Sequence, residues 1–234
     1  MNLSLKRIET IGGVMVGAGL LMFVLAGFLT GYLPVYHLGR LEYKTLEQVV
    51  PEVTPEFRDL AHRWPTAFRT HYGVPDLRAY REALKLGRDA YIAEACWHCH
   101  SQYVRPISNE DQRFGKVSWA AEYRNEMFLP HLFGTRRVGP DLIREAGKHG
   151  NDWHAAHLFD PTLVSPASVM PRYTWFFDGE VPNKVGLAVI AYMQWLGSWT
   201  TPEVLARQAE TEAKDTVTKD TENKETVTKE AKTP

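Results

Sequence analysis

The sequence predicts an all-α protein: one N-terminal transmembrane helix followed by a small helical domain. Three observations carry that expectation. Residues 11–33, IGGVMVGAGLLMFVLAGFLTGYL, contain no charge. At about 1.5 Å per residue they reach about 34 Å, enough for a hydrocarbon layer about 30 Å thick. Further on, apolar residues recur at helical spacing in Tyr80–Glu94, Asn151–Asp160 and Lys184–Leu196. Gly- and Pro-rich stretches that suit loops separate these segments.

The span comes first in the chain. Gly12, Gly13, Gly17, Ala18 and Gly19 recur along it and suit close packing on a neighbouring membrane helix. Lys6 and Arg7 precede it, which puts residues 1–10 in the cytoplasm and the remainder outside. A signal peptide would need a shorter apolar run and a small-residue cleavage site. Residues 34–79 carry Pro34, Pro51, Pro55, Pro65 and Pro75 between short polar stretches. They read as an irregular extracytoplasmic connector, and residues 80–200 as the folded domain. The tail, 201–234, repeats Asp215-Thr216-Val217-Thr218-Lys219 as Glu225-Thr226-Val227-Thr228-Lys229. It has alternating charges and no aromatic residue, so the expectation is disorder. The formal net charge of −1 over 234 residues provides no basic face for nucleic acid.

Cys96-Trp97-His98-Cys99-His100 is a C-x-x-C-H string holding both cysteines of the chain. That spacing attaches a c-type haem: two thiols bond to the vinyl groups on one haem edge, and the next His becomes the proximal iron ligand. A thioredoxin-type dithiol would call for a βαβ context, which the pattern lacks, and zinc for a second Cys/His pair at matching spacing. The haem also supplies core volume that a small domain lacks.

The iron then needs a sixth ligand. Met127, Met170 and Met193 are the downstream methionines available. Met170 sits in Pro166-Ala167-Ser168-Val169-Met170-Pro171, a proline-punctuated loop able to present a thioether to a haem face. Met193 lies in an apolar helical run and reads as core, and Met127 is a weaker loop candidate. His131, His154 and His157 are the rival ligands. His154 and His157 could share a metal or pack against a partner.

Taken in order, several strings carry a resemblance. Residues 96–115 read CWHCHSQYVRPISNEDQRFG; residues 133–142, FGTRRVGPDL; residues 152–158, DWHAAHL; residues 168–173, SVMPRY. In this order and spacing they resemble the membrane-anchored mono-haem cytochrome c subunit of cbb3-type haem–copper oxidases, over roughly residues 80–199 and the single span. The resemblance implies a class I-like cytochrome c domain carrying one covalent haem c, with His100 and Met170 as axial ligands. It implies that the Pro140 carbonyl accepts a hydrogen bond from the proximal imidazole. Arg105 and Arg136, and less so Arg137, would neutralise haem propionates. Trp97 would cover the haem edge or fill core.

The function so implied is electron transfer within a membrane terminal oxidase. Electrons would come from a soluble or tethered cytochrome c, or from a second cytochrome c subunit. They would leave for the haem b and haem–copper centre of a polytopic catalytic subunit that reduces oxygen to water. The chain itself has no residue set for oxygen chemistry. The expected place is the bacterial inner membrane, haem domain on the periplasmic side. A nitric oxide reductase subunit, a free membrane-anchored shuttle and a haem-based gas sensor are the alternatives. Two features depart from the family pattern: a long connector and the charged tail. Trp175, Trp199 and the Phe176-Phe177 pair suggest extra apolar surface beside the methionine loop.

Overall fold

The computed structural model describes residues 5–199; the repeat tail falls outside them. The described residues are mostly helical, and contacts group the chain into a unit ending at Tyr43 and a second beginning at Lys44.

The first unit is helical almost throughout: α1 (Leu5–Gly27), a π-helical turn (Phe28–Tyr32) and α2 (Leu33–Gly39). Glu9–Gly39 is one stretch long and apolar enough to cross a membrane, and none of it is buried by protein. The π turn has a local cause. Pro34 has no N–H to offer the carbonyl one turn back and its ring crowds that turn. The backbone widens just ahead of it, the usual way a helix absorbs such a break.

In the second unit, the stretch expected to be an irregular connector folds as helices: α3 (Leu46–Val49), α4 (Pro55–Arg63) and α5 (Pro65–Tyr72). Pro55 and Pro65 occupy first-turn positions, where a missing N–H costs nothing, so they start helices here. Phe57 and Phe68 are buried and meet edge-to-face at 5.2 Å, and Phe57 also lies 4.6 Å from the Tyr80 ring. Burying each phenylalanine contributes about 1.5–3 kcal/mol. Residues 44–50 are laced to the rest of the unit: Lys44 N donates to Arg124 O (2.9 Å) and Leu46 N to Glu126 Oε2 (2.9 Å).

The centre of the unit is the packing of α6 (Leu77–Ala93) on α11 (Lys184–Trp195). Asp76 caps α6 by accepting from Ala79 N at 2.8 Å. Helix α11 is apolar on every side, and all residues from Gly186 to Trp195 are buried, as such a pattern requires. Met193 is core. Between them come α7 (Cys96–Cys99), α8 (Glu110–Phe114), α9 (Ala120–Tyr123) and α10 (Asn151–Phe159), joined by loops. The only strands among the described residues are a two-residue hairpin, Phe177–Asp178 with Val181–Pro182. Phe176 and Phe177 are buried, and Trp199 stacks on Trp195 at 4.3 Å, so of the four residues expected to add apolar surface there only Trp175 is exposed. Trp175 stays exposed, with its indole N–H on Glu94 Oε1 (3.0 Å).

Candidate haem site

Helix α6 ends at Ala93, and Ala95 adopts a left-handed conformation (φ 55°) that breaks the helix and redirects the chain. Cys96–Cys99 then form a single helical turn. Residues three apart on such a turn share a face, so the two thiols point the same way. Both are free and half-buried. Burial pushes the Cys96 thiol up to about 11. A redox-active dithiol needs the opposite shift, toward the thiolate. The Cys96 sulfur lies 3.9 Å from the Tyr173 hydroxyl.

His100 leaves the turn, and its Nδ1 lies 3.1 Å from the Pro140 carbonyl oxygen. A carbonyl can only accept, so Nδ1 carries the proton and Nε2 holds the lone pair an iron would take. Burial lowers the His100 pKa; the Pro140 hydrogen bond and the Asp141 charge offset this in part. The neutral imidazole is therefore the favoured form. Gly139 lies flat against this ring: a Cβ there would overlap the His100 imidazole, so any other residue would displace it. The segment 132–142 runs beside the motif. Gln102 N donates to Leu132 O (3.1 Å), Gly139 N to Cys99 O (3.1 Å) and Leu142 N to Ser101 O (2.9 Å). From the other side, the fully buried Tyr91 hydroxyl donates to the His100 carbonyl.

Met170 is half-buried in its loop, with its N–H on Ser168 Oγ (3.2 Å). The loop is tied to the motif through Tyr173, whose N–H donates to Leu158 O (2.9 Å) and whose hydroxyl faces Cys96. Met127 is buried core, away from solvent. His131 is exposed and stacks on Phe133 at 5.1 Å. His154 is buried and His157 half-buried; each keeps one ring nitrogen without a hydrogen-bond partner. No cluster of three or more His, Cys, Asp or Glu that could hold a metal occurs among the described residues, so nothing completes a metal site around the His154/His157 pair. Trp97 is half-buried and stacks on His98 at 3.8 Å.

The arginines separate by environment. Arg136 is exposed. Arg105 directs Nε (2.7 Å) and Nη2 to Glu110 Oε1. Arg137, marked in the sequence as the weakest propionate candidate, is buried between Glu110 and Asp141. Burial alone would raise the Glu110 pKa, but the Arg105 and Arg137 hydrogen bonds outweigh it and hold the carboxyl down to about 2. The sequence marked neither Glu110, Tyr91, Gln102 nor Tyr173 as part of this site. Gln102 and Glu110 follow the motif closely in the chain, but their residue types alone imply no role, and only the fold brings Tyr173 to the motif.

These residues fit a c-type haem. Two free thiols share a face, the adjacent imidazole has its tautomer fixed with Nε2 unused, and a glycine leaves room for the ring. No curated protein sequence matches the chain. Residues 64–233 match the family described as Cytochrome C oxidase, mono-heme subunit/FixO. That match spans well over half of the sequence, and the chain belongs to this family of haem-bearing cytochrome c subunits of cbb3-type oxidases.

Proposed function

We propose that this chain is the electron-entry subunit of its oxidase. It takes single electrons from a soluble or tethered cytochrome c, or from a second cytochrome c subunit. It delivers them to the haem b and haem–copper centre of the polytopic catalytic subunit, where oxygen is reduced to water. Haem c, when bound, supplies a one-electron iron couple. Cys96 and Cys99 tether it through thioether bonds. His100 offers Nε2 as the proximal ligand, with the Pro140 carbonyl fixing the tautomer. Met170 would be the second protein ligand of the iron, which would exclude oxygen from it and favour a high potential. Arg136 is the first choice for a propionate counter-charge, because its guanidinium is exposed whereas Arg105 is held by Glu110; Arg105 is the second choice. Glu9–Gly39 anchors the chain in the bacterial inner membrane. Lys6 and Arg7 hold the N-terminus in the cytoplasm and the haem domain lies outside.

The observation that carries this reading is the His100–Pro140 hydrogen bond at 3.1 Å beside two free thiols on one helical turn. The test is Met170→His in the intact complex. His/His ligation lowers the potential relative to His/Met, on the order of a tenth of a volt within the roughly 0.8 V that axial ligands span. Oxygen uptake driven by reduced cytochrome c should then collapse, while pre-reduced catalytic subunit still reacts with oxygen. Unchanged cytochrome c-driven uptake, with the methionine–iron absorption band lost, would show that electrons bypass this subunit.

A further inference from the structure

Pro140 has no N–H, so nothing in its own backbone anchors it by donation. Its carbonyl nevertheless sits 3.1 Å from His100 Nδ1. The position of that carbonyl must come from its neighbours. Arg137, three residues before, and Asp141, one after, are both buried, with side chains 7% and 0% exposed. They pair at 2.5 Å between Nη1 and Oδ2. Asp141 also accepts from Tyr103 N (3.0 Å) and Ile143 N (2.9 Å). Arg137 continues to Glu110, with Nε 3.1 Å from Oε1 and Nη2 on Oε2. Glu110 is itself 3% exposed and accepts from Arg105 N (2.9 Å) and Nε (2.7 Å). The two charges of each sign bridge the loop after the haem motif, α8 and the loop that carries Pro140.

Stability alone is a weak reason for this arrangement. Desolvating each buried ion costs several kcal/mol, which pairing roughly repays. Arg137 also holds a left-handed backbone (φ 53°), unfavourable by about 1–2 kcal/mol for a residue with a Cβ. Such strain persists where the surroundings over-determine a conformation. What they over-determine here is the turn from Arg137 to Asp141, and with it the Pro140 carbonyl.

We propose that Glu110 and Arg137 are positioning residues for the proximal ligand. Their buried ion pair clamps the 137–141 turn so that the Pro140 carbonyl stays on His100 Nδ1, and this sets the reduction potential of the iron. The proposal rests on the reading of His100 as the iron ligand. A firm Nδ1–H···O bond gives the imidazole more anionic character, which makes it a better donor to the oxidised iron. Loosening the clamp weakens the bond and raises the potential.

The test is redox titration of haem c in the purified complex carrying Glu110→Gln or Arg137→Gln. A positioning role raises the midpoint in both variants, with the methionine–iron band and the haem content kept. A direct charge effect gives opposite signs, since removing an anion raises the midpoint and removing a cation lowers it. Opposite shifts would therefore overturn the proposal. So would unchanged midpoints accompanied by a stability loss like that of Asn183→Ala, which lies on another element. Glu110→Asp and Arg137→Lys keep the charge and change the reach, so they report if the first pair lose haem. Both should move the midpoint up by less than the neutral variants, and no movement would count against the clamp. Failure of the ligand reading is separable: His100→Ala would then keep its low-spin methionine-ligated spectrum.

Discussion

Gly87 and Ala188 meet backbone to backbone where α6 crosses α11. A Cβ on Gly87 would overlap the Ala188 carbonyl oxygen and lie 2.8 Å from the Tyr192 Cβ. The contact sets how closely the two helices approach. Tyr91 and Tyr192 then meet edge-to-face at 5.7 Å, and Tyr192 donates to Gln102 just after the haem motif (3.1 Å). The helix crossing and the haem motif are thus one packed unit.

Gly87→Ala should therefore destabilise the domain, although alanine is the better helix former by about 1 kcal/mol. The added methyl meets backbone, which cannot rotate away. Overpacking of this kind costs about 1–3 kcal/mol. At about 2–4 °C per kcal/mol for a domain of this size, the melting temperature should fall measurably. Thermal loss of helical circular dichroism and of the methionine–iron band checks it. An unchanged or raised midpoint would mean that the helices are free to separate at this crossing.

A second site of leverage is Asn183. Its Oδ1 accepts from Val185 N (3.0 Å) and Gly186 N (3.1 Å), and its Nδ2 donates to the Trp175 carbonyl (2.9 Å). Loss of an N-cap costs about 1 kcal/mol, and the extra bond to Trp175 places Asn183→Ala toward the upper end, about 2 kcal/mol. Asn183→Asp keeps the acceptor and loses only the donor, so it should recover most of the loss. Guanidinium unfolding of the three proteins checks the order. Equal midpoints for the alanine and aspartate variants would show that capping of α11 contributes little.

Much of this architecture was legible in the sequence because it is written in local pattern. The uncharged run at 11–33 and the apolar run at 184–196 are helices on any reading, and C-x-x-C-H is fixed by the reach of two thiols to one haem edge. The prolines after the anchor misled for a physical reason. A proline breaks a helix interior but suits a first turn, and Pro55 after Thr54 is in the second situation, with Thr54 Oγ1 accepting from Phe57 N (3.4 Å). The Glu110–Arg137 pair was out of reach for another reason. Its partners stand 27 residues apart, and neither residue type in isolation implies burial.

His154 contributes to the acid response. It is 4% exposed, and its Nε2 has no hydrogen-bond partner among the described residues. Burial, with the charges of His149 and His157 adding to it, pushes its pKa from 6.5 down to about 3. The unfolded chain therefore binds a proton below pH 6.5 that the folded protein refuses until about pH 3. Across that window the unfolded state holds more protons, so stability falls as the pH falls. At pH 5 the loss from this one group is about 2 kcal/mol relative to pH 7, by the same linkage. His154→Gln removes the titrating group, so its stability should drop less between pH 7 and pH 5 than the wild type does, by about that amount. Denaturant unfolding of both proteins at the two pH values measures the difference directly. Taking each protein's own change cancels whatever the substitution costs at neutral pH. Identical drops in the two proteins would mean that His154 takes up its proton in the folded state near its ordinary pKa, and that the buried ring is reached by water.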